Sequence, residues 1–197
     1  MASTVHPATG DLAAPERRGH VPGEEGLWVF IVGDLTIFTL FFGTLIVSRA
    51  KQPSVFLAAQ HDLHPPLAIA NTALLLLGSY LMVRGVAAVR AGRPRTDRLF
   101  AGTVACGLGF ASIKAVEYML LATSGHSPGQ NDFLMYYFVF TGIHLVHLLI
   151  GVVLVSILAR QARSRTPSVR FAEIVGCYWH LVDGLWLVLF PLLYLVH

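Results

Sequence analysis

Apolar residues fall into five long runs, beginning near Gly26, Pro66, Phe100, Phe133 and Ala172, with Arg, Pro, Gly and Asp gathered in the short stretches between them. Each run is close to or above the roughly 20 residues that an α-helix needs to cross bilayer hydrocarbon. The pattern predicts spans at about residues 27–47, 66–89, 100–121, 133–158 and 172–196. They must be helices, because an open strand in hydrocarbon would leave its backbone N–H and C=O groups unpaired. The expected fold is all-α: a flexible cytoplasmic tail over residues 1–25, then a five-helix transmembrane domain over residues 26–197.

Local signals mark the ends of the spans. Arg49 and Lys51 close the first, and Pro65 and Pro66 suit the start of the second, where a helix has no partner for its leading N–H groups. Gly92 and Pro94 predict a tight turn, Asp97 an N-cap for the third span, and Ser124 to Gln130 a second loop. Ala101, Ala105 and Gly109 repeat every four residues, a spacing that lets neighbouring backbones approach in lipid. Pro191 is expected to kink the last turns of the fifth span.

Composition agrees with the pattern. Of 197 residues, 55% are hydrophobic and only 13% are charged, against about 25% charged in an ordinary soluble domain. Five spans of roughly 20 residues or more leave only a tail and short loops, which excludes a separate catalytic head, a nucleotide-binding domain and a nucleic-acid module. The net charge of +3 is therefore read as topology. Arg17 and Arg18, then Arg90, Arg93, Arg95 and Arg98, then Arg160, Arg163, Arg165 and Arg170 all fall on one side of the membrane, and the other side has only Arg49 and Lys51. The positive-inside rule puts the N-terminus in the cytoplasm and His197 outside. Cys106 and Cys177 lie within spans without metal or disulfide spacing. The first 25 residues lack an apolar core, so the first span is read as a retained anchor.

Against this background the polar residues inside the spans are the informative ones: Asp34, Lys114, Glu117, His144, His147, His180 and Asp183. A charge at mid-bilayer costs about 2.5–3.5 kcal/mol on insertion scales, so such groups turn inward and pair. Counting along each span puts Asp34, His147, His180 and Asp183 at one depth, which permits a buried cluster. His144 and His147, and likewise His180 and Asp183, are three residues apart and share a face. The cluster admits a metal site, a haem held by two histidines, or a hydrogen-bond network that pins helices and binds lipid headgroups. No metal site is assigned, because the two pairs lack an accompanying cysteine or second carboxylate pair. Lys114 and Glu117 are expected to neutralise each other, and Arg84 to snorkel towards the headgroups. Asp34 is read either as a proton-relay group or as a satisfied structural carboxylate. A haem-binding membrane anchor and a small proton- or metal-coupled transporter remain open, although no internal repeat supports the second.

Read together, the five segments resemble a known family. Residues 27–42 (LWVFIVGDLTIFTLFF) resemble the helix of cytochrome c oxidase subunit III that carries a mid-membrane carboxylate among aromatics. Residues 71–79 (NTALLLLGS) and 114–118 (KAVEY) match the next two helices of that family. Residues 141–151 (TGIHLVHLLIG) are similar to its Thr-Gly-x-His-x-x-His helix, and residues 178–194 (YWHLVDGLWLVLFPLLY) to its closing helix. The five-helix form lacks the first two helices of the mitochondrial type, and Asp34 stands where glutamate is usual. Gly23-Glu-Glu-Gly-Leu-Trp and the Gly33-Asp34 pair look most like the branch associated with nitric oxide reductase. The resemblance implies an accessory subunit with no redox or catalytic centre of its own. It would pack on a haem- and copper-bearing subunit I and other respiratory subunits, hold phospholipid, and support assembly and proton uptake. Asp34, Glu117 and Asp183 would be buried carboxylates, with His144, His147, His180, Lys114 and Trp179 pinning helices or meeting lipid headgroups.

Overall fold

The computed structural model describes residues 25–60, 63–125, 127, 129–164 and 167–195. The tail, Arg17, Arg18, Gly23, Glu24, Arg165 and His197, all used in reading the sequence, lie outside the described residues. Six helices follow one another: α1 (Glu25–Lys51), α2 (Pro53–Gln60), α3 (Pro65–Arg90), α4 (Asp97–Thr123), α5 (Asp132–Ser164) and α6 (Val169–Tyr194). All but α2 are long and apolar enough to span a membrane, and no strand occurs among the described residues. The first four spans extend beyond their apolar runs at both ends, and the last begins earlier, at Val169, and ends at Tyr194.

The short helix α2 falls where the sequence reading expected a loop. Pro53 starts it, the Phe56 ring meets Phe133 edge-on at 5.4 Å between centroids, and Gln60 Nε2 donates to the Leu193 carbonyl at 3.0 Å. At eight residues it is too short to persist alone, so these contacts hold it. One other expectation is corrected at the loop between α3 and α4, and one is met there. Thr96, not Asp97, is the N-cap of α4, and Asp97 instead opens the helix as its first-turn acid. The turn before it ends α3 through the Arg93 N–H to Ala88 and the Gly92 N–H to Val89, with Gly92 at φ +60°. That is the paired left-handed ending which glycine makes without strain.

Helices α3, α4, α5 and α6 form a closed ring of neighbours, each touching the next, and α6 also touches α3. Trp179 fills the centre at 0% exposure. A methyl group added at Gly78, Gly107 or Gly151 would stand 3.2, 3.0 or 3.4 Å from its indole. Glycines on three helices therefore make the slot for one large side chain on the fourth. The expected stripe of small residues does not serve this purpose: Ala101 and Ala105 are exposed, and only Gly109 comes close to α3, against Leu74. Residues 102 and 107 lie on the packed faces instead, since helices meet along the line set by their bulky partners. Pro191 lies within the last turn of α6, and Leu195 N–H bonds back to its carbonyl.

Helix α1 is peripheral. Only 11% of its most apolar stretch is buried, against 56% for α6. It leans on α5 and α6 through Phe38 and Leu45, both buried, and through Phe41 and Phe42 against Phe140.

Candidate functional site

The intramembrane polar residues separate into several groups, and among the described residues no hydrogen bond or ion pair joins one group to another. The first fixes α1. Asp34 Oδ1 lies 3.2 Å from His147 Nε2, with the two side chains 10% and 17% exposed. His147 Nδ1 lies 2.9 Å from the Ile143 carbonyl four residues earlier. A carbonyl only accepts, so Nδ1 carries hydrogen. The Nε2–Oδ1 contact then needs one more proton, held as an imidazolium facing a carboxylate or as an imidazole facing a carboxylic acid. The pair is neutral in both forms, which suits its depth, and it carries one transferable proton. The second Asp34 oxygen is buried without a hydrogen-bond partner. Phe38 packs edge-on against the His147 ring at 5.9 Å, and Tyr178 donates to the His147 carbonyl at 3.1 Å.

The second group ties α3 to α6. Ser79 Oγ and His180 Nδ1 are 2.8 Å apart, and the same nitrogen is 3.7 Å from Asp183 Oδ2. Asp183 is 5% exposed and neither of its oxygens has a hydrogen-bond partner. His144 belongs to neither group. It is completely buried between Phe110 (5.5 Å) and Trp186 (5.3 Å), without a hydrogen bond on either ring nitrogen. His144 and His147 are three residues apart but lie on neighbouring strips of the helix surface. One faces the centre of the four-helix ring and the other faces α1, so the single cluster allowed by depth counting does not form.

The third group is the most enclosed. Lys114 Nζ donates to Glu117 Oε2 at 2.9 Å, to Tyr137 Oη at 3.1 Å and to Tyr194 Oη at 2.9 Å. Tyr194 in turn donates to Glu117 Oε1 at 2.6 Å. Both charged side chains are fully buried, and the Trp186 ring centre lies 5.1 Å from the ammonium. All three donor positions of the lysine are used, so α4, α5 and α6 are locked at one end. Sequence reasoning found the ion pair but missed Tyr137, Tyr194 and Ser79. Tyrosine or serine in an apolar run is the only signal they give, and the same signal fits a lipid-facing residue. Trp179, expected in a polar network, has no hydrogen bond on Nε1 and serves as packing. Arg84 reaches the Tyr80 hydroxyl at 2.8 Å.

Among the described residues no three His, Cys, Asp or Glu side chains come together as a metal-binding group. The fold and its interior define a multi-pass helical membrane protein whose buried charges tie helices to one another. The family model for cytochrome c oxidase subunit III matches residues 23–197, and the chain belongs to that family. It is 30% identical to cytochrome c oxidase subunit 3 of Corynebacterium diphtheriae, over 94% of this chain and 96% of the relative. It is 25% identical to a probable quinol oxidase subunit 3 of Staphylococcus aureus, over 87% of each. It is also 27% identical to a haem-copper oxidase subunit I+III of Aeropyrum pernix, with 87% of this chain matching 22% of that longer protein. In haem-copper oxidases the redox centres sit in subunit I and subunit III lacks them; membership implies association with subunit I in the oxidase complex.

Proposed function

We propose that this chain is the non-redox subunit III of a bacterial inner-membrane terminal oxidase, and that it sustains proton uptake by the catalytic subunit and holds phospholipid at their shared boundary. The observation that carries the reading is the Asp34–His147 pair. It is a neutral, partly exposed pair with one transferable proton, at the joint between the loosely packed α1 and the ring. A group of this kind is neutral while it holds the proton and carries one negative charge after releasing it, so its loaded and unloaded forms differ by a single unit of charge at the joint. The N-terminus faces the cytoplasm in this reading, because the α3–α4 loop and the end of α5 carry most of the arginine. The Gly33-Asp34 pair favours a second reading, in which the partner is a nitric oxide reductase system.

The test is Asp34→Asn in the intact complex. Asparagine can donate from its amide to His147 Nε2, so the joint is kept while the transferable proton is lost. Assembly is expected to be unchanged, with slower proton uptake and earlier loss of activity during continuous turnover. Unchanged uptake and unchanged turnover lifetime would remove the role assigned to Asp34.

A further inference from the structure

Helix α6 is the most buried span, yet one strip of it, through Cys177, His180, Gly184 and Val188, is left uncovered between α1 and α3. A cavity of about 560 Å³ runs along the α1 side, past Trp28 and Leu35, and another of about 220 Å³ along the α3 side, past Val83. Cys177 and His180 line both, so the two are one groove with α6 as its floor. At Gly184 an added methyl group would meet nothing within 4 Å, which leaves room for a close backbone.

The floor of the groove is polar at one point. His180 has a side chain 41% exposed and turns Nδ1 inward to Ser79, with the Asp183 carboxylate behind it. The carboxylate beside Nδ1 favours hydrogen on that nitrogen, which leaves Nε2 as an acceptor on the groove side. The seat therefore calls for a hydrogen-bond donor. His180 lies roughly 16 Å along α6 from its start, near the middle of the helix and out of reach of headgroups flanking a hydrocarbon layer about 30 Å thick. Acyl chains at that depth carry no donor.

We propose that this groove seats a transmembrane helix of the catalytic subunit that carries a donor side chain (Ser, Thr, Tyr, Trp, Asn, Gln, Lys or Arg) at mid-membrane depth, with His180 as its polar seat and Ser79 and Asp183 holding the imidazole from behind. The inference rests on the subunit III reading. It is tested in the oxidase complex purified in mild detergent, with a photoreactive benzophenone amino acid at Leu187 on the groove rim and, for comparison, at Val153 on α5. The expected adduct from Leu187 is a donor-bearing transmembrane segment of the catalytic subunit, formed several-fold more than from Val153. Adducts from Leu187 only to phospholipid or to a second copy of the chain, or equal yields from both positions, would overturn the proposal. In parallel, His180→Phe and Asp183→Leu should lower the fraction of chain retained by the complex several-fold under detergent challenge, and His180→Gln should restore much of it. Full retention of both variants would also overturn the seat. Absence of the catalytic subunit from the wild-type preparation would instead overturn the subunit III reading itself.

Discussion

Lys114 illustrates how a residue that is costly in lipid becomes a fastener. Its ammonium has three oxygen partners, from Glu117, Tyr137 and Tyr194, at 2.9–3.1 Å and no solvent contact. Removing one partner of a buried pair costs about 3–5 kcal/mol, whereas replacing both by apolar groups of similar volume is often close to neutral. Glu117→Gln is therefore expected to lower stability in micelles by about that amount, and Lys114→Met combined with Glu117→Leu by much less. Tyr194→Phe removes hydrogen bonds but no charge and should cost about 1.5–3 kcal/mol, the range for bonds to charged groups. Chemical unfolding followed by tryptophan fluorescence measures all three, since Trp186 lies beside the cluster. A double variant as unstable as Glu117→Gln would show that the pair contributes more than mutual neutralisation.

At the scale of elements, glycine decides where helices touch. A methyl group at Gly85 would stand 2.5 Å from the Phe100 ring, and one at Gly107 would stand 2.6 Å from Val152, whereas one at Gly142 would meet nothing within 4 Å. Overpacking of this kind costs about 1–3 kcal/mol. Gly85→Ala and Gly107→Ala should fall in that range, and Gly142→Ala should be neutral or stabilising by up to about 1 kcal/mol from helix propensity. Thermal unfolding of the three purified variants gives the comparison. The apolar runs made the five spans legible because lipid demands long, continuous apolar helices. Helix α2 was not legible, since Phe56 and Gln60 acquire their roles only when Phe133 and Leu193 arrive from distant parts of the chain. Likewise, Lys114 and Glu117 are read as a pair from a spacing of three residues, but Tyr137 and Tyr194 join them from two other helices.

At the scale of the whole molecule, four helices close a ring around Trp179 while α1 stays at its edge, held at mid-depth by Asp34 and His147. The arrangement leaves a rigid core and a loose flank, and both proposals concern that flank. Orientation is tested by single cysteines in a variant lacking the two native ones. Arg95→Cys should be labelled by an impermeant maleimide only in inverted membranes and Ser127→Cys only in right-side-out ones. The opposite pattern would reverse the topology. By itself the sequence determined that the chain crosses a membrane, how many times, and which few polar residues lie inside, because hydropathy and arginine placement act along the chain. Only the tertiary structure decided that those residues form separate groups and not one cluster, and that α6 keeps one face open. Which strip of a helix faces which neighbour depends on side-chain packing between distant segments, and residues three apart, such as His144 and His147, can then look in different directions.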